Sequence, residues 1–350
     1  MLNVLRKVHA WAGLALCLLV LPLAVSGVLL VFKPQWIRAT VPGADASATV
    51  TADTAAESLA AAQAAFPGLR SVTFAGPEVG LHQAYVADGG GGYLTSDGEV
   101  IQGWDRNARV VDWLFDLHHH LLSGETGATV AGAIGLATAL MVVTGLIVWA
   151  PAWRSFRGRI APGAGRAGWL AAHRDLGLMA APVLVVITLT GAALNLDALA
   201  ARVMGFQPSR PPAVGSGDVD WPGALSAAQA RFPDAQIRMA ILPAAPGKPA
   251  SIRLRQPAEW HANGRTVVWI DPATSRIARV DDALAYAPAQ RAYNAFWPIH
   301  ASKVGGVAWK AVTFAAGLAL IALSLYGAES YRRKLFPARR RVRQAAARAG

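Results

Sequence analysis

The sequence has one cysteine, Cys17, and it lies in an apolar run. A disulfide framework, a Cys-rich zinc site and an iron–sulfur cluster are therefore excluded within one chain, and Cys17 reads as a small buried hydrophobe. Charge is also scarce. Of 350 residues, 15% are charged and 54% are hydrophobic. That excludes an ordinary soluble domain and points to a membrane protein with sizeable polar segments. Acids are scarcer than bases, which leaves a net charge of +12. The excess is concentrated in Arg154, Arg157, Arg159 and Arg166, and again in Arg332, Arg333, Lys334, Arg339, Arg340, Arg341, Arg343 and Arg348. Beside apolar spans such clusters mark cytoplasmic loops by the positive-inside rule, rather than a nucleic-acid surface. No Rossmann fingerprint, G-x-G-x-x-G between a strand and a helix, is read. The Gly89–Gly92 run has no helix after it, so it reads as a hairpin turn rather than a phosphate loop.

Taken in order, residues 1–37 hold the first span, with its apolar run at 10–32. That run exceeds the about 7–15 residues of a signal-peptide core and is near the about 20 needed to cross a bilayer. Residues 38–111 are polar: Thr54–Phe66 predicts a helix ended by Pro67-Gly68. Ser71–Phe74, Gln83–Val86, Tyr93–Thr95 and Glu99–Gln102 predict short strands. Residues 112–151 carry an interfacial segment and the second span, Ala128–Ala150. Residues 152–168 form a basic cytoplasmic loop, and 169–197 hold the third span, Leu176–Leu196. The second polar segment, 198–295, repeats the plan: a helix near Gly223–Phe232, then strands near Gln236–Leu242, Ala250–Arg255 and Thr266–Ile270. Residues 296–331 hold the fourth span, near Val304–Tyr326, and 332–350 are a basic tail. Both basic segments and the N-terminus fall on one side, so both termini are expected in the cytoplasm.

The halves read as an internal duplication. Leu59 to Pro67 matches Leu225 to Pro233 in the spacing of Leu, Gln, Phe and Pro. His9 precedes Gly13 and Gly27 as His173 precedes Gly177 and Gly191. His118 precedes Gly124 and Gly145 as His300 precedes Gly306 and Gly327. Each half therefore contains an even number of spans, which makes the repeat parallel, about an axis along the membrane normal. The histidines come out paired by depth: His9 with His173 at the cytoplasmic level, His118 with His300 at the extracytoplasmic level. Two opposed imidazoles at one level are what a six-coordinate haem needs, and bis-imidazole ligation suits electron transfer. Ionisable groups in membranes are costly, so four at duplicated positions point to function.

Around these four stand lesser candidates. His119 and His120 complete a triplet with His118. His120 competes for the ligand role or for a hydrogen bond at the haem edge, and a surface copper or zinc site at the triplet is the other reading. Ser123-Gly124-Glu125-Thr126-Gly127 breaks the helix after His118. Lys303 and Lys310 project within about 90° of His300 on an ideal helix, which suits a haem propionate or snorkelling, and Arg174 is placed to do the same on the inner side. Gly27, Gly145, Gly191 and Gly327 read as close-packing positions, with haem clearance as the other reading. Trp104, Trp113, Trp149, Trp153, Trp297 and Trp309 fit interfacial belts. His82 and His261, in the polar segments, read as solvated.

The arrangement resembles the PepSY-associated transmembrane family, which includes iron-regulated inner-membrane proteins and ferric-siderophore reductases. The resemblance rests on Val8-His9-Ala10-Trp11-Ala12-Gly13, on Leu117-His118 through Gly124-Glu125-Thr126-Gly127, on Thr144-Gly145-Leu146-Ile147-Val148-Trp149, on His173-Arg174-Asp175-Leu176-Gly177, and on Ile299-His300. It covers nearly the whole chain. It implies an α-helical membrane protein of four transmembrane helices with two small α+β PepSY-like periplasmic domains, 38–111 and 198–295, in the bacterial inner membrane. It further implies two b-type haems on His9, His118, His173 and His300, and a ferric siderophore or other ferric chelate as electron acceptor. The donor is then a membrane quinol, a reduced flavin or a separate reductase. Two rival readings stand beside it: a non-redox binding or regulatory protein, in which the histidines are structural, and a permease for an iron chelate, which four spans with few polar groups make hard to build.

Overall fold

A computed structural model of the protein describes residues 1–47 and 49–336. The arginines expected to mark the tail at 339, 340, 341, 343 and 348 lie outside the described residues. The elements in chain order begin with α1 (Leu2–Leu30), α2 (Lys33–Thr40) and α3 (Ala52–Ala65). Four strands follow, β1 (Leu69–Thr73), β2 (His82–Val86), β3 (Gly91–Leu94) and β4 (Val100–Trp104). Then come α4 (Val110–His120), α5 (Gly124–Trp149), a 3-10 turn at Ala150–Ser155, α6 (Gly165–Asn195), α7 (Asp197–Met204) and α8 (Trp221–Arg231). The last are β5 (Gln236–Ile241), β6 (Ala250–Arg255), β7 (Thr266–Asp271), β8 (Arg276–Asp281), α9 (Pro288–Asn294), α10 (Phe296–His300) and α11 (Gly306–Leu335).

These elements fall into two compact units. One holds residues 1–31, 117–196 and 305 onward; the other holds Phe32–Asp116 and Asp197–Val304. Among the described residues four helices, α1, α5, α6 and α11, are long and apolar enough to cross a bilayer. In lipid a helix satisfies every backbone polar group within itself, so apolar runs of this length have little alternative. Side chains such as Leu18, Leu140, Ile147 and Leu325 are exposed along them, an apolar surface suited to lipid rather than water. Each helix packs on two neighbours in the order α1, α5, α6, α11 and back to α1. The spans are longer than the apolar runs that announce them. His9 and His173 therefore stand about two turns inside their helices.

The second unit is built on one antiparallel sheet of order β4-β3-β2-β1-β5-β6-β7-β8. The two polar segments, expected as separate small domains, join edge to edge where Val72 pairs with Ala240. Helix α3 starts at a capping box, in which Thr51 and Thr54 exchange side-chain-to-backbone hydrogen bonds. Helix α8 is capped by Asp220, whose carboxylate accepts from the backbone N–H of Gly223. Both helices lay alanine- and leucine-rich faces on the sheet. Leu59, Phe74, Leu94, Leu225, Ile252, Leu254 and Ile270 form one buried core there. The expected strands all form. Strand β8 was not anticipated, because its charged alternation, Arg276 to Asp281, lacks a continuous apolar face.

Candidate functional site

The site lies between α1 and α6, the diagonal members of the four-helix ring. His9 on α1 and His173 on α6 face each other with ring centroids 6.4 Å apart and planes crossing at 76°. Each ring is oriented by its Nδ1. His173 Nδ1 lies 2.9 Å from the Leu323 carbonyl on α11. A carbonyl only accepts, so Nδ1 carries the proton and Nε2 is the basic nitrogen. His9 Nδ1 lies 3.0 Å from Thr144 Oγ1 on α5, and that hydroxyl donates its own proton to the Met141 carbonyl. The hydroxyl therefore accepts from His9, and the same tautomer follows.

A glycine makes room for each ring. A Cβ added at Gly145 would lie 3.2 Å from His9 Cε1, and one at Gly327 would lie 3.4 Å from His173 Cε1. His118 repeats the pattern on α1: its Nδ1 donates to the Leu23 carbonyl at 2.9 Å, and a Cβ at Gly27 would lie 2.8 Å from its Cε1. In all three cases the hydrogen-bond chain ends on the carbonyl four residues before the glycine. One helical turn offers an acceptor and the next offers a gap. Three of the glycines read from sequence as close-packing positions, Gly27, Gly145 and Gly327, are thus seats for imidazoles, and the tight fit at Gly27 would not accept a methyl group without a shift.

His300 ends α10 in the second unit. Its helix stops there, as α4 stops at His120. Ser302, Gly305 and Gly306 adopt positive φ in one junction, and Leu121, Leu122 and Gly124 do so in the other. The expected break after His118 is present. The corresponding break after His300 invalidates the ideal-helix projection of His300, Lys303 and Lys310. Lys303 lies in the junction and donates to both carboxylate oxygens of Glu78, at 2.8 and 2.6 Å. Lys310 is half-buried in the second turn of α11. Arg174 is likewise committed: its Nε donates to Asp175 Oδ1 at 3.0 Å and its Nη2 to the Ser155 carbonyl at 2.9 Å.

Asp175 went unread in the sequence. Its fully buried carboxylate, two residues after His173, accepts from the backbone N–H groups of Arg157 and Arg159, at 3.0 and 3.2 Å, and from the Arg159 guanidinium. It thereby ties the loop that follows α5 to α6. The isolated pattern Asp–Leu–Gly gave no signal of this; the run of arginines upstream was the available one.

His82 and His261 are not solvated. Both are buried in the sheet unit, and each accepts a backbone N–H at Nδ1, from Ala75 at 2.9 Å and from Asn263 at 3.2 Å. Burial, reinforced by Arg238, pushes the His82 pKa down to about 4; burial with Arg265, Arg253 and Arg255 pushes His261 to about 2. Trp104 belongs to β4, where it packs on Tyr93 and beneath the Arg109 guanidinium, not in an interfacial belt. Gly163-Ala164-Gly165-Arg166-Ala167-Gly168 does spell G-x-G-x-x-G at the start of α6. It follows the 3-10 turn and a loop rather than a strand, so it makes no dinucleotide-binding unit. In the triplet, the His119 and His120 rings lie 6.1 Å apart. Among the described residues no group of three or more His, Cys, Asp or Glu side chains is gathered around a metal-sized space.

Two-ligand coordination remains, and the inner pair fits it. A metal–imidazole bond is about 2 Å, and a ring nitrogen sits about 1 Å from its centroid, so two imidazoles on one iron place their centroids about 6 Å apart. The observed separation of 6.4 Å is of that size. Compared with known proteins, the chain matches the family model described as the PepSY-associated TM region over residues 6–334. A comparison with curated proteins gives no match.

Proposed function

We propose, from the premise that the chain belongs to the PepSY-associated TM family, that it is a di-haem reductase of the bacterial inner membrane. It passes electrons to a ferric chelate, such as a ferric siderophore, on the extracytoplasmic side. The observation that carries this reading is the opposed His9–His173 pair, each ring fixed in the tautomer that presents Nε2. His9 and His173 hold the inner haem b. His118, seated on Gly27, is the outer ligand that the membrane unit supplies, and His300 is its counterpart in the second half of the chain. Internal duplication supports reading them as counterparts: α3 with β1–β4 and α8 with β5–β8 follow one plan, and antiparallel pairing of β1 with β5 is what a two-fold axis requires.

The chain's own residues bind and orient. The Leu323 and Leu23 carbonyls and the Thr144 hydroxyl fix ring rotation and raise ligand basicity, an outer-shell effect worth about 10–100-fold in affinity at metal sites. Gly145, Gly327 and Gly27 provide clearance. Asp175 anchors the loop next to the inner ligand. When bound, haem supplies reversible one-electron transfer, one electron for each Fe(III) reduced to Fe(II). Both termini are taken to be cytoplasmic, a reading that the basic loop at 152–168 supports through the positive-inside rule. The donor is a quinol, a reduced flavin or a separate reductase.

The test is the absorption spectrum of the detergent-purified protein, oxidised and dithionite-reduced, with haem per chain from a pyridine haemochrome assay. The expected outcome is about two six-coordinate b-type haems per chain, as two bis-His pairs require, reoxidised by a ferric chelate. A colourless protein from haem-replete cells would overturn the reading and favour a non-redox binding role.

A further inference from the structure

The β5–β8 half of the sheet carries a second chemistry on its other face. Alternation along β6 turns Ile252 and Leu254 into the core beneath α8, so Ser251, Arg253 and Arg255 point to the opposite side. Arg253 pairs across the sheet with Val267, between Arg265 and Trp269 on the neighbouring strand. These side chains floor a cavity of about 230 Å³, and Tyr286 and Tyr293 contribute to its walls.

Two guanidiniums face this cavity with little to hold them. The Nε atoms of Arg253 and Arg265 are buried and have no hydrogen-bond partner among the described residues. Arg253 Nη1 reaches only the Met239 thioether sulfur, at 3.6 Å, a weak acceptor. Two acids, Asp197 and Asp281, also line the cavity, and Asp197 accepts from the Ala198 backbone N–H. Glu259 accepts from the backbone N–H groups of Gln256 and Arg265 and from the Thr266 hydroxyl. Asp281 accepts from Trp269 Nε1, Arg279 and Ser209. Burial and the neighbouring Arg265 push the Arg253 pKa down to about 10, which leaves it a cation at neutral pH. Two like charges buried side by side without carboxylate partners are unfavourable, and an anion relieves both.

We propose that this cavity binds an organic oxyanion, a carboxylate or phosphate on a planar or apolar body, gripped by Arg253 and Arg265 and flanked by Trp269, Tyr286 and Tyr293. Guanidinium forks match either oxyanion in two-point fashion, and the aromatic walls suit the organic part. The site is independent of the haem reading and is assayed without it.

The experiment is equilibrium dialysis of radiolabelled citrate against the full chain in neutral detergent, with native mass spectrometry for retained phosphatidylglycerol. One saturable citrate per chain, weakened tenfold or more by Arg253→Gln and by Arg265→Gln, less by Arg253→Lys and not by Arg231→Gln, is the expected result. Retained phospholipid that both Gln variants release would support the site and identify a lipid headgroup as the source of the oxyanion. A second measurement needs no variant: bound citrate or lipid should protect Arg253 and Arg265 of the native protein from phenylglyoxal, read by peptide mass spectrometry. Binding equal in folded variants and wild type, modification unchanged by either anion, or binding of neither would overturn the proposal.

Discussion

The histidines of the two units use Nδ1 in opposite directions. In the membrane unit His9 and His173 donate from Nδ1 to a hydroxyl and a carbonyl, which leaves Nε2 as a lone-pair nitrogen beside an opposed ring. In the sheet unit His82 and His261 accept at Nδ1 from backbone N–H groups and pack on aromatic faces, Phe74 at 5.4 Å and Trp297 at 4.2 Å. The half-buried pair in the membrane unit and the buried pair in the sheet unit thus differ in tautomer as well as in exposure. The direction of the Nδ1 hydrogen bond decides which nitrogen carries the proton.

The largest expected effect breaks the comparison outright. His173→Ala should lose the inner haem, so that pyridine haemochrome content falls by about half from the two haems that two bis-His pairs require. His82→Ala should keep full haem content and lose stability instead. Equal haem loss in both variants would erase the distinction drawn from Nδ1. A smaller effect comes from the glycine seats. Gly145→Leu pushes carbon into the space of His9, and overpacking of this kind costs about 1–3 kcal/mol; inner-haem affinity should fall roughly 5- to 150-fold while the outer haem stays. Haem titration of the apoprotein reads this, and unchanged affinity would return Gly145 to a packing role.

The smallest effect is in pH. In the unfolded chain His82 titrates near 6.5, while in the folded protein burial holds it neutral down to about 4. Between these values the unfolded state binds more protons, so stability rises with pH across that window and is flat above it. The full span is on the order of 3 kcal/mol. His82→Gln keeps an acceptor for the Ala75 N–H but does not titrate. Its thermal midpoint should depend less on pH between about 4 and 6.5 than that of wild type; an identical slope would remove His82 as the source.

Much of the frame was legible in the sequence. Hydropathy located the four spans, and spacing located the histidines and the glycines that seat them. The roles of those glycines were not legible, because a gap is defined by the ring that fills it from another helix. The Lys303 partner, Glu78, sits far away in sequence, and the break at Ser302–Gly306 is a backbone event that an ideal-helix projection cannot represent. The burial of His261 depends on Trp297 stacking over it, and hydropathy windows do not see such distant pairs. For the same reason two domains were expected where a shared sheet forms: nothing local in Ser71-Val72-Thr73 names Met239-Ala240-Ile241 as its partner.

That shared seam has a consequence for how the protein is made. Strand β1 sits mid-sheet, yet one of its two neighbours, β5, is synthesised only after α5 and α6. Until the chain has entered the bilayer, turned and come back, the nascent half-sheet displays an open strand edge of the kind that invites misassociation. Completion of the sheet is thus tied to membrane insertion: a chain whose α5–α6 hairpin fails to integrate leaves one edge of β1 open.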